Sequence, residues 1–416
     1  MTEGGRQRQA EIQALARLAG DEIGGAVDGI AAVHRAISDR VFAAARLGVG
    51  PAAQPVKVVH DAITDGVYRL LGGTAVAAGA LAERVVDVPG APVPSRTVYG
   101  SGFLAALQGL IGDSLADERP ILAGPMTFRI NGEPVAPGWV GDVVSNPRPR
   151  LVVFLHGLVE TEHAWRLGGR ASYAERLEGD LDCTTLLVRY NSGLHISENA
   201  RLLNGMLQHL VDNWPVPVEQ IALVGHSMGG LIARGACYDA DRADLPWVRR
   251  VRHIVCLGSP HLGAPLEQLV HYASAALVRV PETRPLGRLL RRRSAGIRDL
   301  RQGSLVDEDW QGLDTDTLRR RVIREVPLLD CADHYFVTAT VTHSPRHPLG
   351  RFFGDGLVLA ASGSGRNRAR RIGFDDSNGL HIAGANHFTL LNHDTVYAAL
   401  VRWLADDVHH ESMRCG

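Results

Sequence analysis

The chain is poor in several features that mark common classes of protein. Lys57 is the only lysine, and 44 basic residues stand against 45 Asp and Glu, which gives a formal net charge of −1. This balance argues against a nucleic-acid partner, because such partners favour a strongly basic surface. No run of about 18 apolar residues occurs, so no transmembrane helix is expected. No apolar h-region of a signal peptide follows Met1, and the sequence therefore predicts a cytoplasmic protein.

Cysteine is also scarce. The five cysteines are Cys183, Cys237, Cys256, Cys331 and Cys415. A disulfide framework uses an even number of cysteines, and a structural zinc site uses paired C-x-x-C motifs, neither of which occurs here. We therefore expect reduced, mostly buried thiols in a reducing compartment, with no disulfide framework and no zinc site.

The sequence divides into two regions of different character. Residues 1–118 have apolar residues at steps of three to five, which predicts helices and includes one over Phe103–Leu115. Residues 119–416 form the second region. The helical region has no catalytic motif, and two interpretations remain open. It packs on the rest of the protein or on a second copy, or its amphipathic surface contacts lipid. A polar face that carries both Asp and Arg weakens the lipid interpretation.

The second region alternates strands with helices. Asn131-Gly132 is typical of a hairpin turn after a strand at 126–130, with the return beginning at Val135 or Trp139. The apolar run Leu151–Leu155 suits a strand that is covered on both faces. Further strands are predicted at 183–190, 221–224, 253–258, 335–341 and 380–383. This alternation predicts an α/β fold with a mostly parallel sheet flanked by helices.

One helical, arginine-rich segment, residues 263–327, interrupts that alternation. It lies between two predicted strands and leaves the sheet at the edge where the candidate site falls. That position suits a cap or lid over a pocket. Its arginines fit a solvated helix face, and contact with an anionic head group, as in a peripheral membrane contact, or with an acidic partner is the alternative.

The stretch Gly225–Gly229 carries the clearest chemical signal. It reads Gly-His-Ser-Met-Gly, fits G-x-S-x-G, follows an apolar strand and precedes a predicted helix. Gly225 and Gly229 let the backbone bend sharply and leave room around Ser227. The serine would then lie above the first turn of a helix, where unpaired N–H groups favour negative charge. Ser227 is the predicted nucleophile.

A serine hydroxyl is a weak nucleophile and needs an adjacent base, commonly a histidine held by a carboxylate. After a nucleophile of this kind the acid and then the histidine follow along the chain. His387 lies between the last predicted strand and the last helix, 393–405. His393 competes with it, but its position at the helix start is explained by capping or packing. His387 is therefore the predicted base.

The predicted acid is Asp355, which follows a strand and is flanked by glycines that permit a tight turn. The competing carboxylates are Asp375, Asp376, Asp330 and Asp333. The first two lie in a polar stretch that looks exposed, and the last two precede a strand and so lie at its wrong end. Asp355 would fix the tautomer of the imidazole and stabilise the imidazolium.

Negative charge that develops on a carbonyl oxygen requires hydrogen-bond donors. The backbone N–H groups of Leu158 and Met228 are the predicted pair, because each follows a strand end next to the site. Other residues are predicted to support the site without reacting. They are His156, Gly157, Gly225, His226, Gly229 and His261.

Five segments together carry a resemblance to a known family. They are Phe154–Leu158, Gly225–Gly230, Leu257–Pro265, Gly354–Val358 and Asn386–Phe388. They resemble the α/β-hydrolase superfamily in its lipase and esterase branch, especially bacterial relatives of triacylglycerol lipases and of the GPI inositol-deacylase-like domain. The resemblance covers about residues 121–407 and leaves the N-terminal helical region unplaced.

The resemblance implies hydrolysis of carboxylic esters, on a small acyl ester or a lipid, through an acyl-enzyme. It implies no metal and no organic cofactor. An acyltransferase or a thioesterase on the same fold is the main alternative. A non-catalytic scaffold is a lesser one, and the presence of Ser227, Asp355 and His387 argues against it.

Overall fold

A computed structural model of the chain describes residues 3–22, 92–264, 293–312, 323–343, 347, 350, 353–368 and 370–405. The chain divides into two compact units. The first contains the described residues 3–22, 92–124 and 293, and the second contains residues 125–264 and those from 294 onward. The domain division expected from the sequence, 1–118 and 119–416, stays a prediction. The helices expected between residues 23 and 91 lie outside the described residues.

The first unit is helical where it is described. Its helices are α1 (Glu3–Glu22), α2 (Val98–Glu118) and α3 (Pro120–Ala123). Helix α2 is longer than the predicted 103–115, because the Thr97 side chain caps it by accepting from the Gly100 N–H. The core of this unit consists of Leu18, Phe103, Leu104, Leu107, Leu115, Leu122 and Ala123. Glu11 on α1 accepts from the Ser95 hydroxyl at 2.6 Å.

The second unit is built on one sheet of eight strands. The strands are β1 (Thr127–Ile130), β2 (Glu133–Val135), β3 (Arg150–Leu155), β4 (Thr184–Arg189), β5 (Gln220–His226), β6 (Val251–Leu257), β7 (Asp333–Thr340) and β8 (Gly379–Ala383). Their order is β2-β1-β4-β3-β5-β6-β7-β8. Strands β3 to β8 pair in parallel, and among the described residues only the β1–β2 hairpin is antiparallel to its neighbours. The mostly parallel sheet predicted from the sequence is confirmed.

Helices cover both faces of that sheet. They are α4 (Val140–Val143), α5 (Tyr173–Asp180), α6 (Ile196–Asp212), α7 (Met228–Arg242), α8 (Ala295–Gln302), α9 (Ala360–Gly363) and α10 (Asp394–Ala405). Side chains alternate along β3, so that Leu151, Val153 and Leu155 join the core under α6 and α7. Val152 and Phe154 face the opposite core under α5 and α10. A strand buried on both faces requires the uninterrupted apolar run seen in the sequence.

The antiparallel hairpin corrects one detail of the sequence analysis. Asn131 and Gly132 form its turn with φ of 53° and 82°, the left-handed conformation that two-residue hairpin turns require. The returning strand begins at Glu133, two residues before the earlier of the two predicted starts. Trp139 is not in a strand, because Pro137 lacks an N–H for the sheet and instead begins a short 3-10 helix.

The connection from β6 to β7 contains the predicted cap, 263–327. Residues 265–292 and 313–322 of it lie outside the described residues, and with them most of the arginine-rich part. The described portion includes α8 and a 3-10 turn at Asp307–Asp309. Each described helix of the protein is either too short or too polar to cross a bilayer.

Candidate active site

Ser227 occupies a sharp turn between β5 and α7. Its φ of 51° and ψ of −117° lie in a region that L-residues rarely adopt. The Ser227 N–H donates to the carbonyl of Leu257 at 2.8 Å, which ties the turn to the end of β6. Such strain persists only where the surrounding structure enforces it, and it is frequent at reactive residues.

The glycines of this turn are required by backbone packing. A Cβ on Gly225 would lie 2.2 Å from the Gly230 nitrogen, and one on Gly229 would lie 2.2 Å from the Leu155 carbonyl oxygen. The first turn of α7 therefore rests directly against the end of β3. This close approach brings the N-terminus of α7 beside the loop that follows β3.

His387 and Asp355 form a buried pair. The His387 ring donates from Nδ1 to Asp355 Oδ2 at 2.8 Å, and the His387 N–H donates to the Asp355 carbonyl at 3.0 Å. The other carboxylate oxygen accepts the N–H groups of Leu357 and Val358 at 2.9 and 2.7 Å. Gly354, with φ of 59°, provides the turn before the acid. The carboxylate is therefore held by the loop and in turn orients the ring.

The charge around His387 favours its protonated form. Burial alone would lower the pKa of its imidazole, but the negative charge and hydrogen bond of Asp355, with the charge of Glu160, outweigh burial. The pKa of His387 is therefore raised above its ordinary value. An imidazolium formed at this position would be stabilised in place.

The three predicted residues follow three parallel strands at one edge of the sheet. Ser227 follows β5, Asp355 follows β7 and His387 follows β8. The ring centroids of His387 and His226, the residue before Ser227, are 4.6 Å apart. Among the described residues no hydrogen bond joins the Ser227 hydroxyl to His387. Catalytic hydrogen bonds are often long before a substrate is bound.

The loop after β3 contains the predicted oxyanion donor Leu158. The Gly157 N–H donates to Glu160 Oε2 at 2.7 Å, and the Val159 N–H donates to the Ser192 hydroxyl at 3.1 Å. Within the described part of the chain, neither the Leu158 N–H nor the Met228 N–H donates to a protein acceptor. The role of these two backbone N–H groups as oxyanion donors stays a prediction.

His156 is tied to this loop. Its Nε2 accepts the Tyr190 N–H at 3.3 Å, so Nδ1 carries the hydrogen and donates to the Gly157 carbonyl at 2.8 Å. The ring stacks on Tyr190 with centroids 4.2 Å apart. Burial lowers the pKa of His156 to about 4. These contacts leave neither ring nitrogen for proton transfer.

Glu160 is a residue that the sequence analysis missed. Its side chain is 8% exposed, and both carboxylate oxygens lie 3.0 Å from Nδ1 of the fully buried His226. Burial would raise the pKa of Glu160, but His226 and the Gly157 N–H stabilise the carboxylate and lower that pKa. The available signal was a glutamate placed three residues after a strand-end glycine, in a loop expected to line the site.

The other histidines and the competing acids have different surroundings. His261 is buried and accepts from Arg234 Nη1 at 3.1 Å; burial and that cation hold its pKa well below the ordinary value. The His393 N–H donates to the hydroxyl of Tyr173 at 2.6 Å. The exposed Asp375 caps a 3-10 helix. None of these contacts brings the residue to Ser227.

Asp376, Asp330 and Asp333 are also placed apart from His387. Asp376 is exposed and pairs with Arg366. Asp333 begins β7, and Asp330 precedes it, so both lie at the amino end of that strand. The carboxylate that contacts His387 is Asp355.

Comparisons with known proteins give one partial family match and several similar structures. A family model described as a PGAP1-like alpha/beta domain matches residues 188–322, which include Ser227. No curated protein matches the chain. The mature Bacillus licheniformis lipase BlEst2 is 17% identical, with 63% of this chain and 96% of that chain covered and a TM-score of 0.40. The RedJ thioesterase of Streptomyces coelicolor is 20% identical, with 64% and 98% covered and a TM-score of 0.33.

A lipase of Staphylococcus hyicus is a third similar structure. It is 16% identical, with 63% of this chain and 95% of that chain covered and a TM-score of 0.36. The family match and the topology of the sheet identify the α/β-hydrolase fold. The matched segment runs from the end of β4 into the connection between β6 and β7, and Asp355 and His387 lie beyond it.

Proposed function

We propose that this α/β-hydrolase, which resembles the lipase and esterase branch, cleaves carboxylic esters of acyl or lipid substrates through an acyl-enzyme on Ser227. The fold and the PGAP1-like match support hydrolysis of an ester bond. One observation carries the finer assignment. A buried His387–Asp355 pair lies at the same sheet edge as a serine in a left-handed conformation.

The proton moves along a defined path in this proposal. Asp355 keeps the hydrogen on Nδ1 of His387, so the lone pair on Nε2 accepts the Ser227 proton as the hydroxyl attacks the ester carbonyl. Asp355 then stabilises the imidazolium. His387 returns the proton to the leaving alcohol, and a water molecule later hydrolyses the acyl-enzyme by the same route.

The charge on the carbonyl oxygen is met by backbone donors. The N–H groups of Leu158 and Met228 donate to the oxygen of the tetrahedral intermediate. Met228 is the first residue of α7, where the helix dipole adds to the stabilisation. Removal of one such donor typically lowers kcat by about 10²- to 10³-fold.

The test uses the purified full chain with a series of p-nitrophenyl acyl esters and a fluorophosphonate probe. We expect labelling at Ser227, located by mass spectrometry, and a loss of about 10⁴-fold or more in kcat for Ser227→Ala. Ser114→Ala replaces an exposed serine of the first unit and should leave kcat unchanged.

The same experiment identifies the outcomes that would contradict the proposal. Folded wild-type protein that is neither labelled nor active, or a Ser227→Ala variant that retains most of its activity, would refute the nucleophile. Faster turnover of an acyl-CoA thioester than of any oxygen ester would instead assign a thioesterase. The dependence of kcat/KM on acyl length separates a small-pocket esterase from a lipase.

A further inference from the structure

The loop that carries Leu158 is strained. Val159 has φ of 57°, and a β-branched residue is a genuine outlier in the left-handed region. The Glu160 N–H donates to the Gly157 carbonyl across the turn at 3.4 Å. Two further hydrogen bonds hold the turn in this conformation, from the Gly157 N–H to Glu160 and from the Val159 N–H to Ser192. They lie on either side of Leu158, whose own N–H has no protein acceptor among the described residues.

Glu160 connects this turn to the residue beside the nucleophile. Its carboxylate packs so closely on Gly157 that a Cβ there would lie 3.0 Å from Oε2. The same carboxylate contacts Nδ1 of His226 at 3.0 Å, and Nε2 of His226 faces the carbonyl oxygen of His387 at 3.3 Å. One buried side chain therefore joins the loop after β3 to the end of β5.

The contacts of Glu160 differ from those of a structural ion pair. Glu162, two residues later, pairs with Arg189 through two hydrogen bonds. Within the described residues Glu160 contacts no arginine or lysine, and its only ionisable hydrogen-bond partner is His226. Burial of a carboxylate is costly unless it is paired and hydrogen-bonded, and for Glu160 the Gly157 N–H and His226 provide those contacts.

We propose that Glu160 is a positioning residue for the ester cleavage proposed above. It ties the strained Gly157–Glu160 turn to His226 and thereby sets the Leu158 N–H relative to the Met228 N–H. This inference rests on the proposed function, since it assigns a role in aligning the two oxyanion donors. Misplacement of a catalytic group by about 1 Å is enough to lower a rate by about 10²-fold.

Glu160 also acts on the base through its charge. The charged and titratable groups that face His387 are Asp355 from the loop after β7, His226 at the end of β5 and Glu160. Replacement by glutamine keeps the shape of Glu160 and removes its charge. The glutamine oxygen can accept from Gly157 while its amide donates to a His226 that carries its hydrogen on Nε2. The glutamine variant therefore separates the effect of the Glu160 contacts on the turn from the effect of the Glu160 charge on His387.

The test compares Glu160→Ala and Glu160→Gln with Glu162→Gln, a matched change of a buried carboxylate that pairs with Arg189. For Glu160→Ala we expect kcat to fall about 10- to 10²-fold with KM nearly unchanged. Glu160→Gln should restore most of kcat, while the acid limb of kcat/KM against pH moves to lower pH. Glu162→Gln should leave both kcat and that limb in place.

Other outcomes overturn the proposal. It is wrong if Glu160→Ala keeps kcat within about twofold, if Glu160→Gln loses as much as the alanine variant, or if the acid limb does not move. Hydrogen exchange of the amides at residues 157–159 gives a readout that does not need activity. Exchange should be faster in Glu160→Ala than in the wild type, and equal rates contradict the proposed tie. A wild type that lacks both labelling and esterase activity refutes the proposed function alone.

Discussion

The exchange of Asp355 for asparagine tests the proton path most directly. Asp355 Oδ1 accepts two backbone N–H groups, from Leu357 and Val358, while Oδ2 accepts from His387 Nδ1. An asparagine keeps its oxygen on the two backbone donors and turns its amide group toward His387. The ring must then accept at Nδ1, which places the hydrogen on Nε2. In that tautomer the imidazole cannot take the proton of Ser227.

The expected loss of activity follows from this change of the His387 tautomer. Holding a catalytic histidine in the wrong tautomer costs about 10⁴-fold in kcat, which corresponds to about 5.4 kcal/mol of barrier. In Asp355→Asn the free energy of unfolding should change much less than this barrier, because the Leu357 and Val358 N–H groups keep their acceptor. Asp355→Ala leaves both N–H groups without one, at about 1–3 kcal/mol for each buried group. The two variants should therefore be similar in activity and different in stability.

The assay is ester turnover together with urea unfolding. Asp375→Asn is the matched control, because this exposed carboxylate caps a 3-10 helix and has no contact with His387. It should retain wild-type kcat. The reasoning fails if Asp355→Asn keeps kcat within tenfold of the wild type, or if Asp375→Asn lowers kcat as strongly.

Three further predictions concern the same edge of the sheet. Ser227→Gly should be more stable than Ser227→Ala by about 1 kcal/mol in urea unfolding, since glycine relieves about 1–3 kcal/mol of strain but costs about 0.4–1 kcal/mol of chain entropy; a less stable glycine variant would contradict this. Gly229→Ala should prevent stable folding, because its Cβ would meet the Leu155 carbonyl at 2.2 Å; wild-type Tm would refute the packing. Asp355 raises the pKa of His387, so kcat/KM should fall with decreasing pH around a midpoint above about 6.5; a midpoint below that value would contradict the raised pKa of His387.

The main elements of the fold could be predicted from local patterns. The apolar run of β3 and the Gly-rich turn at Ser227 reflect constraints that act within a few residues, namely burial on both faces and a sharp strand-to-helix bend. Trp139 was one of the two predicted starts of the returning strand, and the structure places it outside the strand. Pro137, two residues earlier, was the better guide, since it cannot donate to a sheet.

The candidate site was only partly visible in the sequence. Asp355 could be distinguished from other acids by its glycine neighbours and its position after a strand. Glu160 and Glu162 could not be told apart, because both are glutamates in one polar loop. Their difference lies in tertiary contacts, with His226 in one case and Arg189 in the other. The spacing of apolar residues in the sequence does not show which partner a buried glutamate contacts.

The long connection between β6 and β7 makes this architecture modular. The two strands pair from His253 with Asp333 to Leu257 with Val337, although residues 258–332 separate them in the chain. The entropy of closing a loop grows slowly, by about 0.6 kcal/mol for each doubling of its length. The connection can therefore be lengthened at little entropic cost while the strand register, and with it the spacing of the residues at the sheet edge, stays fixed.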